Sequence, residues 1–198
     1  VSLSLDEIRE AVSSFKSPMN KLQNFMSGSS QAGTFSEWSL KAIIQDFMPN
    51  GLYEEDWRPD PNEQKKVEFA IKLQNDLFLP IDSKFPSIEY ERYINAANDG
   101  DKEAAIRHKK EIRRFVIDEA KEITKYIQEG RTPNLAYMYV PSEDLLRVIH
   151  TMKHEATGKP LIEYLASLEK KVLIVGPNIL ASELSILLSS QQRIEMNN

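Results

Sequence analysis

Glu68, Asp82 and Lys84 have the residue types and the spacing to do chemistry together. The run Val67-Glu68-Phe69-Ala70-Ile71-Lys72-Leu73 alternates apolar and polar side chains, the pattern of a half-buried strand. Leu77-Phe78-Leu79-Pro80-Ile81-Asp82-Ser83-Lys84 reads as a second strand, with Gln74-Asn75-Asp76 as the turn between them. A turn centred on Asn75 sets Glu68 directly across from Asp82. Val67, Phe69, Ile71, Leu73, Leu77, Leu79 and Ile81 then share the core face. Glu68, Asp82 and Lys84 share the other face, because strand side chains alternate with period two. Carboxylates opposed on a sheet repel each other. A divalent cation between them, with a lysine two residues along, turns that cost into a site.

The remaining elements must hold this hairpin in place. A helix is expected over residues 35–48, after a flexible connector at 27–33, and a loop over 53–66. Further helices are expected near 88–97 and 102–128. Leu135 to Val140 is a continuously apolar run, as in a strand covered on both faces. Ser142 caps a helix reaching about residue 153, and residues 161–168 are helical. Val172-Leu173-Ile174-Val175 is a second buried strand, stopped by Gly176-Pro177, and a last helix covers 179–191. This order predicts an α/β fold, a mixed central sheet flanked by helices.

Upstream, Leu5, Ile8, Val12, Phe15, Met19, Leu22 and Met26 recur at steps of three and four, a heptad stripe. Ser4 and Glu7 form a capping box at its start, and Pro18 kinks or divides it. The stripe either packs on the domain's own core or is the end of a coiled coil able to join copies of the chain. The division expected is a helical segment at 1–30 and a domain at 33–192.

The chain has 198 residues, 41% hydrophobic and 28% charged, enough for one domain with its own core. A net charge of −5 argues against a protein that coats nucleic acid generally, though not against a local basic patch. Without cysteine there are no disulfides, thiolate zinc sites or cysteine nucleophiles. No apolar run is long enough to span a bilayer, so this segment is expected to make no membrane contact. The chain opens on Val1, as a fragment or processed product would.

An acid, a turn, then acid-x-lysine on a hairpin after a helix resembles the PD-(D/E)xK nuclease superfamily. The wider sequence resembles its RmuC family of DNA recombination proteins. The resemblance rests on Leu79-Pro80-Ile81-Asp82-Ser83-Lys84-Phe85-Pro86, Tyr90-Glu91-Arg92-Tyr93, Tyr139-Val140-Pro141-Ser142-Glu143 and Val172-Leu173-Ile174-Val175-Gly176-Pro177. Gly33-Thr34-Phe35-Ser36-Glu37-Trp38-Ser39-Leu40 looks like that family's helix entry. The resemblance implies a restriction-endonuclease-like fold and Mg2+ or Mn2+ held by Glu68 and Asp82 with Glu37 assisting. Lys84 is then the catalytic lysine and DNA the substrate. Such relatives carry an N-terminal membrane segment and a long coiled coil; the part read here is expected to be cytoplasmic.

There are departures. Glu68 stands where an Asp after Pro is usual, Phe35 and Ser36 where Trp and Gly are, and Ser185 where many relatives have Arg. These departures keep a second reading open, a nuclease-fold module that binds DNA or scaffolds without turnover. A third is a protein-interaction domain working through the heptad stripe.

Other residues have competing readings. Thr34 and Glu37 fit a capping box, which would tie Glu37 to the backbone. Glu143 and Asp144 suit the first turn of a helix, and Glu143 could also approach the site. Arg107, Lys109, Lys110, Arg113 and Arg114 could contact DNA phosphate, or form a solvated face punctuated by Glu103, Glu111 and Glu119. His150 and His154, four apart on one expected helix, lack a third ligand for zinc. Gly176-Pro177-Asn178 resembles an anion-binding turn, and more simply a helix start.

Overall fold

A computed structural model describes residues 29–195; the heptad stripe and the Ser4–Glu7 box lie outside them. Glu68 is on β2 (Val67–Lys72) and Asp82 on β3 (Phe78–Ser83). A 3-10 turn, Gln74–Asp76, joins the strands. Asn75 and Asp76 have φ of 58° and 57°, a left-handed conformation that Asn and Asp tolerate better than most side chains. The ladder pairs Phe69 with Ile81, Ala70 with Pro80, Ile71 with Leu79 and Lys72 with Phe78. Continued one step, this register sets Glu68 opposite Asp82, as expected.

The hairpin belongs to a five-stranded sheet with spatial order β1-β2-β3-β4-β5. β1 (Tyr53–Trp57) pairs antiparallel with β2, while β3, β4 (Leu135–Tyr139) and β5 (Lys171–Val175) run parallel. The mixed sheet flanked by helices is the expected architecture. β1 is a correction, because residues 53–66 were expected to be loop. Glu54, Glu55 and Asp56 are exposed, so this edge strand is held by its ladder to β2 rather than by an apolar pattern.

Helices cover both faces. On one lie α1 (Ser29–Phe47) and α6 (Pro177–Glu195), whose Leu40, Ile44, Leu180 and Leu184 pack on Phe69, Ile71, Leu79, Ile81, Tyr137 and Tyr139. The other carries α3 (Lys102–Ile123), α4 (Glu143–His150) and α5 (Leu161–Ala166) over Ala136, Met138, Val172 and Ile174. α2 (Ser87–Asn98) packs along α3. Phe69, Ile71, Leu73, Leu79 and Ile81 of the odd face therefore meet this core. Val67 instead joins Trp57 and Ala70 in a small separate cluster beside β1, and Leu77, at the turn, is half-buried outside these clusters. The even face is also largely interior, since Ala70, Pro80 and Asp82 are buried.

Three further expectations need correcting. Residues 29–33 are helical, not a connector, and Ala32 is buried. Thr34 and Glu37 consequently lie inside α1, where no first-turn capping box can form. His154 lies beyond the end of α4, stacked on Tyr164 at 3.7 Å, so the two histidines do not share a helix.

Ser142 does cap α4, with Leu145 N–H donating to its Oγ at 3.2 Å. Glu143 spans to the next element, where Asn178 N–H at the start of α6 donates to its Oε1 at 2.8 Å. The Gly176-Pro177-Asn178 turn is thus served by the protein's own carboxylate, which satisfies an otherwise orphaned helix N–H. A Cβ on Gly176 would lie 2.8 Å from that oxygen. Gly176→Ala should displace Glu143 and unpair the Asn178 N–H, costing about 1–2 kcal/mol in urea unfolding. An unchanged midpoint would show that this contact contributes nothing.

Candidate metal and phosphate site

Glu68 is the second residue of β2 and Asp82 the second from the end of β3, so the antiparallel turn returns both to one end of the hairpin. Asp82 is 4% exposed, placed between β2 and the parallel strand β4, where it pairs in register with Met138. The chain leaves β3 with Lys84 N–H donating to Tyr139 O at 2.8 Å, which fixes the lysine at the C-terminal end of the strand. Ligand sites of open α/β sheets commonly form at such ends.

Each acid has a different partner. Ser83 Oγ donates to Glu68 Oε1 at 3.0 Å, and Ser83 N–H to Glu68 Oε2 at 3.3 Å. Lys84 Nζ lies 2.9 Å from Asp82 Oδ2 and 3.5 Å from Glu119 Oε2 on α3. The ammonium compensates the charge of Asp82 at that buried oxygen.

Burial raises the Glu68 carboxyl from 4.5 to about 7, and the charge of Asp82 adds to the push. The Ser83 hydrogen bond acts in the opposite direction, and Glu37 adds a smaller repulsion. Burial also raises Asp82, against the pull of Lys84. Lys84 is raised because the attraction of Asp82 and Glu119 outweighs its burial. Tyr126, half-buried behind the acids, is raised by burial and then by Asp82.

The donor set fits a hard divalent cation. With Glu68, Asp82 and Glu119 ionised, three carboxylates face one ammonium, leaving two uncompensated negative charges. Among the described residues no three His, Asp or Glu form a ready ligand group. Mg2+ nevertheless commonly uses one or two carboxylates with water and substrate phosphate. Glu68 and Asp82 would hold it, with the Lys84 ammonium 2.9 Å from Asp82 Oδ2 beside them.

Of the other expected site residues, Glu37 is exposed on α1 and acts on Glu68 through its charge. Arg107, Lys110 and Arg114 are exposed on α3 and Lys109 is half-buried. Arg113 is engaged by Glu155 and by the Lys153 carbonyl at 3.5 Å. Ser185 Oγ donates to Ala181 O within α6 at 2.9 Å. Two residues of the site were not anticipated in these roles. Ser83 lies inside the Asp-Ser-Lys motif but on the odd face, and Glu119 was counted only as punctuation of a basic helix.

The fold and site together define a mixed-sheet α/β domain with a buried Asp82, a half-buried Glu68 and a lysine at the end of one hairpin. The RmuC family model matches residues 1–198, and the chain belongs to the RmuC family. Two curated relatives carry the name DNA recombination protein RmuC homolog, from Xylella fastidiosa strains Temecula1 / ATCC 700964 and 9a5c. Each is 28% identical over 162 residues, covering 78% of this chain and 34% of the relative. The chain thus spans about a third of the length of these relatives. No solved structure matches it. No helix among the described residues is long and apolar enough to cross a membrane.

The raised Glu68 sets a pH dependence. Folded Glu68 keeps its proton to higher pH than the unfolded chain does. In the absence of divalent cations, its contribution to stability falls as pH rises from about 4.5 to 7 and then levels off. Glu68→Gln removes that decline, and at pH 8 should exceed the parent by on the order of 1–3 kcal/mol. Urea unfolding in chelator at pH 5 and pH 8 checks this; a parent-to-variant difference that does not change with pH contradicts it.

Proposed function

We propose that this chain is the nuclease-like domain of a DNA recombination protein and hydrolyses phosphodiester bonds with Mg2+ or Mn2+ bound by Glu68 and Asp82. One observation carries the reading. Asp82 is buried on β3 in register opposite Glu68, whose carboxyl it pushes up by its charge, and the Lys84 ammonium lies 2.9 Å from Asp82 Oδ2. The name of the relatives supports DNA as the substrate. A bound cation polarises the phosphate and lowers the pKa of its water.

The chain's own residues do the rest. Glu68 releases its proton to become a ligand, which ties cation affinity to pH. Lys84 stays protonated beside Asp82 and Glu119, so it serves as a donor and a positive charge against phosphate oxygen, not as a base. Glu37 is the accessory acid, acting on Glu68 through its charge. The exposed Arg107, Lys110 and Arg114, with Lys109, take DNA phosphates away from the reacting centre.

Asp82→Ala should fold, lose measurable Mg2+ affinity and lose cleavage of linear and branched DNA. Unchanged metal affinity would remove Asp82 from the site. A parent that binds DNA but no metal would favour the module without turnover. Replacing Arg107, Lys110 and Arg114 with Ala should weaken DNA binding and reduce its salt slope by about two to three. An unaltered slope in fluorescence anisotropy would assign those residues to solvent.

A further inference from the structure

We infer that Glu119 is the second anchor of Lys84, receiving its ammonium when a divalent cation binds Glu68 and Asp82. The inference rests on the cation site proposed above. Lys84 Nζ already bridges the two acids, 2.9 Å from Asp82 Oδ2 and 3.5 Å from Glu119 Oε2. Asp82 is fixed in β3 and nearly sealed, whereas the side chains of Lys84 and Glu119 are each 29% exposed. The flexible pair can therefore adjust while the strand acid cannot.

The physical need is simple. The ammonium and a divalent cation repel each other if both press on Asp82 Oδ2. A cation that takes Asp82 Oδ2 therefore displaces Lys84 from that oxygen. Displaced into water, the lysine would leave the place where a phosphate is expected. Glu119 keeps it within reach while removing it from direct competition.

The helix explains why this acid is available. Ile112, Val116, Ala120 and Ile123 form the buried stripe of α3. Glu119 flanks that stripe and turns toward the end of β3. Its neighbours Asp118 and Glu122 are exposed, and pair along the helix with Lys121 and Lys125. Glu119 is thus a positioning residue that acts through Lys84.

Calorimetric Mg2+ titration of the parent, Glu119→Gln, Lys84→Met and the double variant tests this. The amide is isosteric and the site partly open, so thermal unfolding should show intact folds. Glu119→Gln should weaken Mg2+ binding about tenfold when Lys84 is present, because the ammonium then stays on Asp82. In the Lys84→Met background the same change should alter affinity by less than about twofold. An equal loss in both backgrounds would make Glu119 a cation ligand and overturn the inference. No loss in either would make it a bystander and overturn it too. In both cases the Glu68–Asp82 site survives, whereas a parent that binds no Mg2+ overturns the site and the inference together.

Discussion

Two carboxylates face each other across β2 and β3 in a largely buried setting, and the surrounding structure acts to contain them. Opposed strand side chains have Cβ atoms about 4.5–5.5 Å apart, too close for two bare charges in a protein interior. The fold answers with three devices. Ser83 engages the Glu68 carboxylate through its hydroxyl and its backbone N–H. Lys84 compensates Asp82. Burial and repulsion keep Glu68 protonated up to about neutral pH. A group held this way gains by meeting a cation, which is why the pair reads as a site rather than as a flaw.

The hairpin can hold such a pair because its register is enforced from both sides. Phe69, Ile71, Leu79 and Ile81 are clamped beneath α1 and α6. A slip by one residue would turn Glu68 and Asp82 into that apolar layer and its apolar set onto the opposite face. The parallel neighbour β4 adds a second constraint through Lys84 N–H and Tyr139 O. Packing far from the acids therefore sets the geometry of the acids, and α3 completes it by delivering Glu119 from a distant part of the chain.

Much of this was legible in the sequence because strand alternation and a short polar turn are local signals. They suffice to put Glu68 opposite Asp82 and Lys84 beside them. β1 was not legible, since Glu54-Glu55-Asp56 looks like solvent-exposed loop and becomes a strand only by pairing with β2. The early part of α1 was hidden by its Ser and Gly content, which packing of Ala32 overrides. Glu119 was hidden for a different reason. On a helix rich in both signs of charge, nothing local marks the one acid that the α3 packing angle turns toward the sheet. Glu143 shows the reverse case, a motif acid occupied in joining α4 to α6.

The account turns on a cation between Glu68 and Asp82, and anomalous diffraction from crystals grown with Mn2+ tests that most directly. A peak within coordinating distance of both carboxylates, with the Lys84 ammonium moved off Asp82 Oδ2, is the predicted result. Crystals saturated with Mn2+ that show no peak there, and Lys84 still against Asp82, would contradict it.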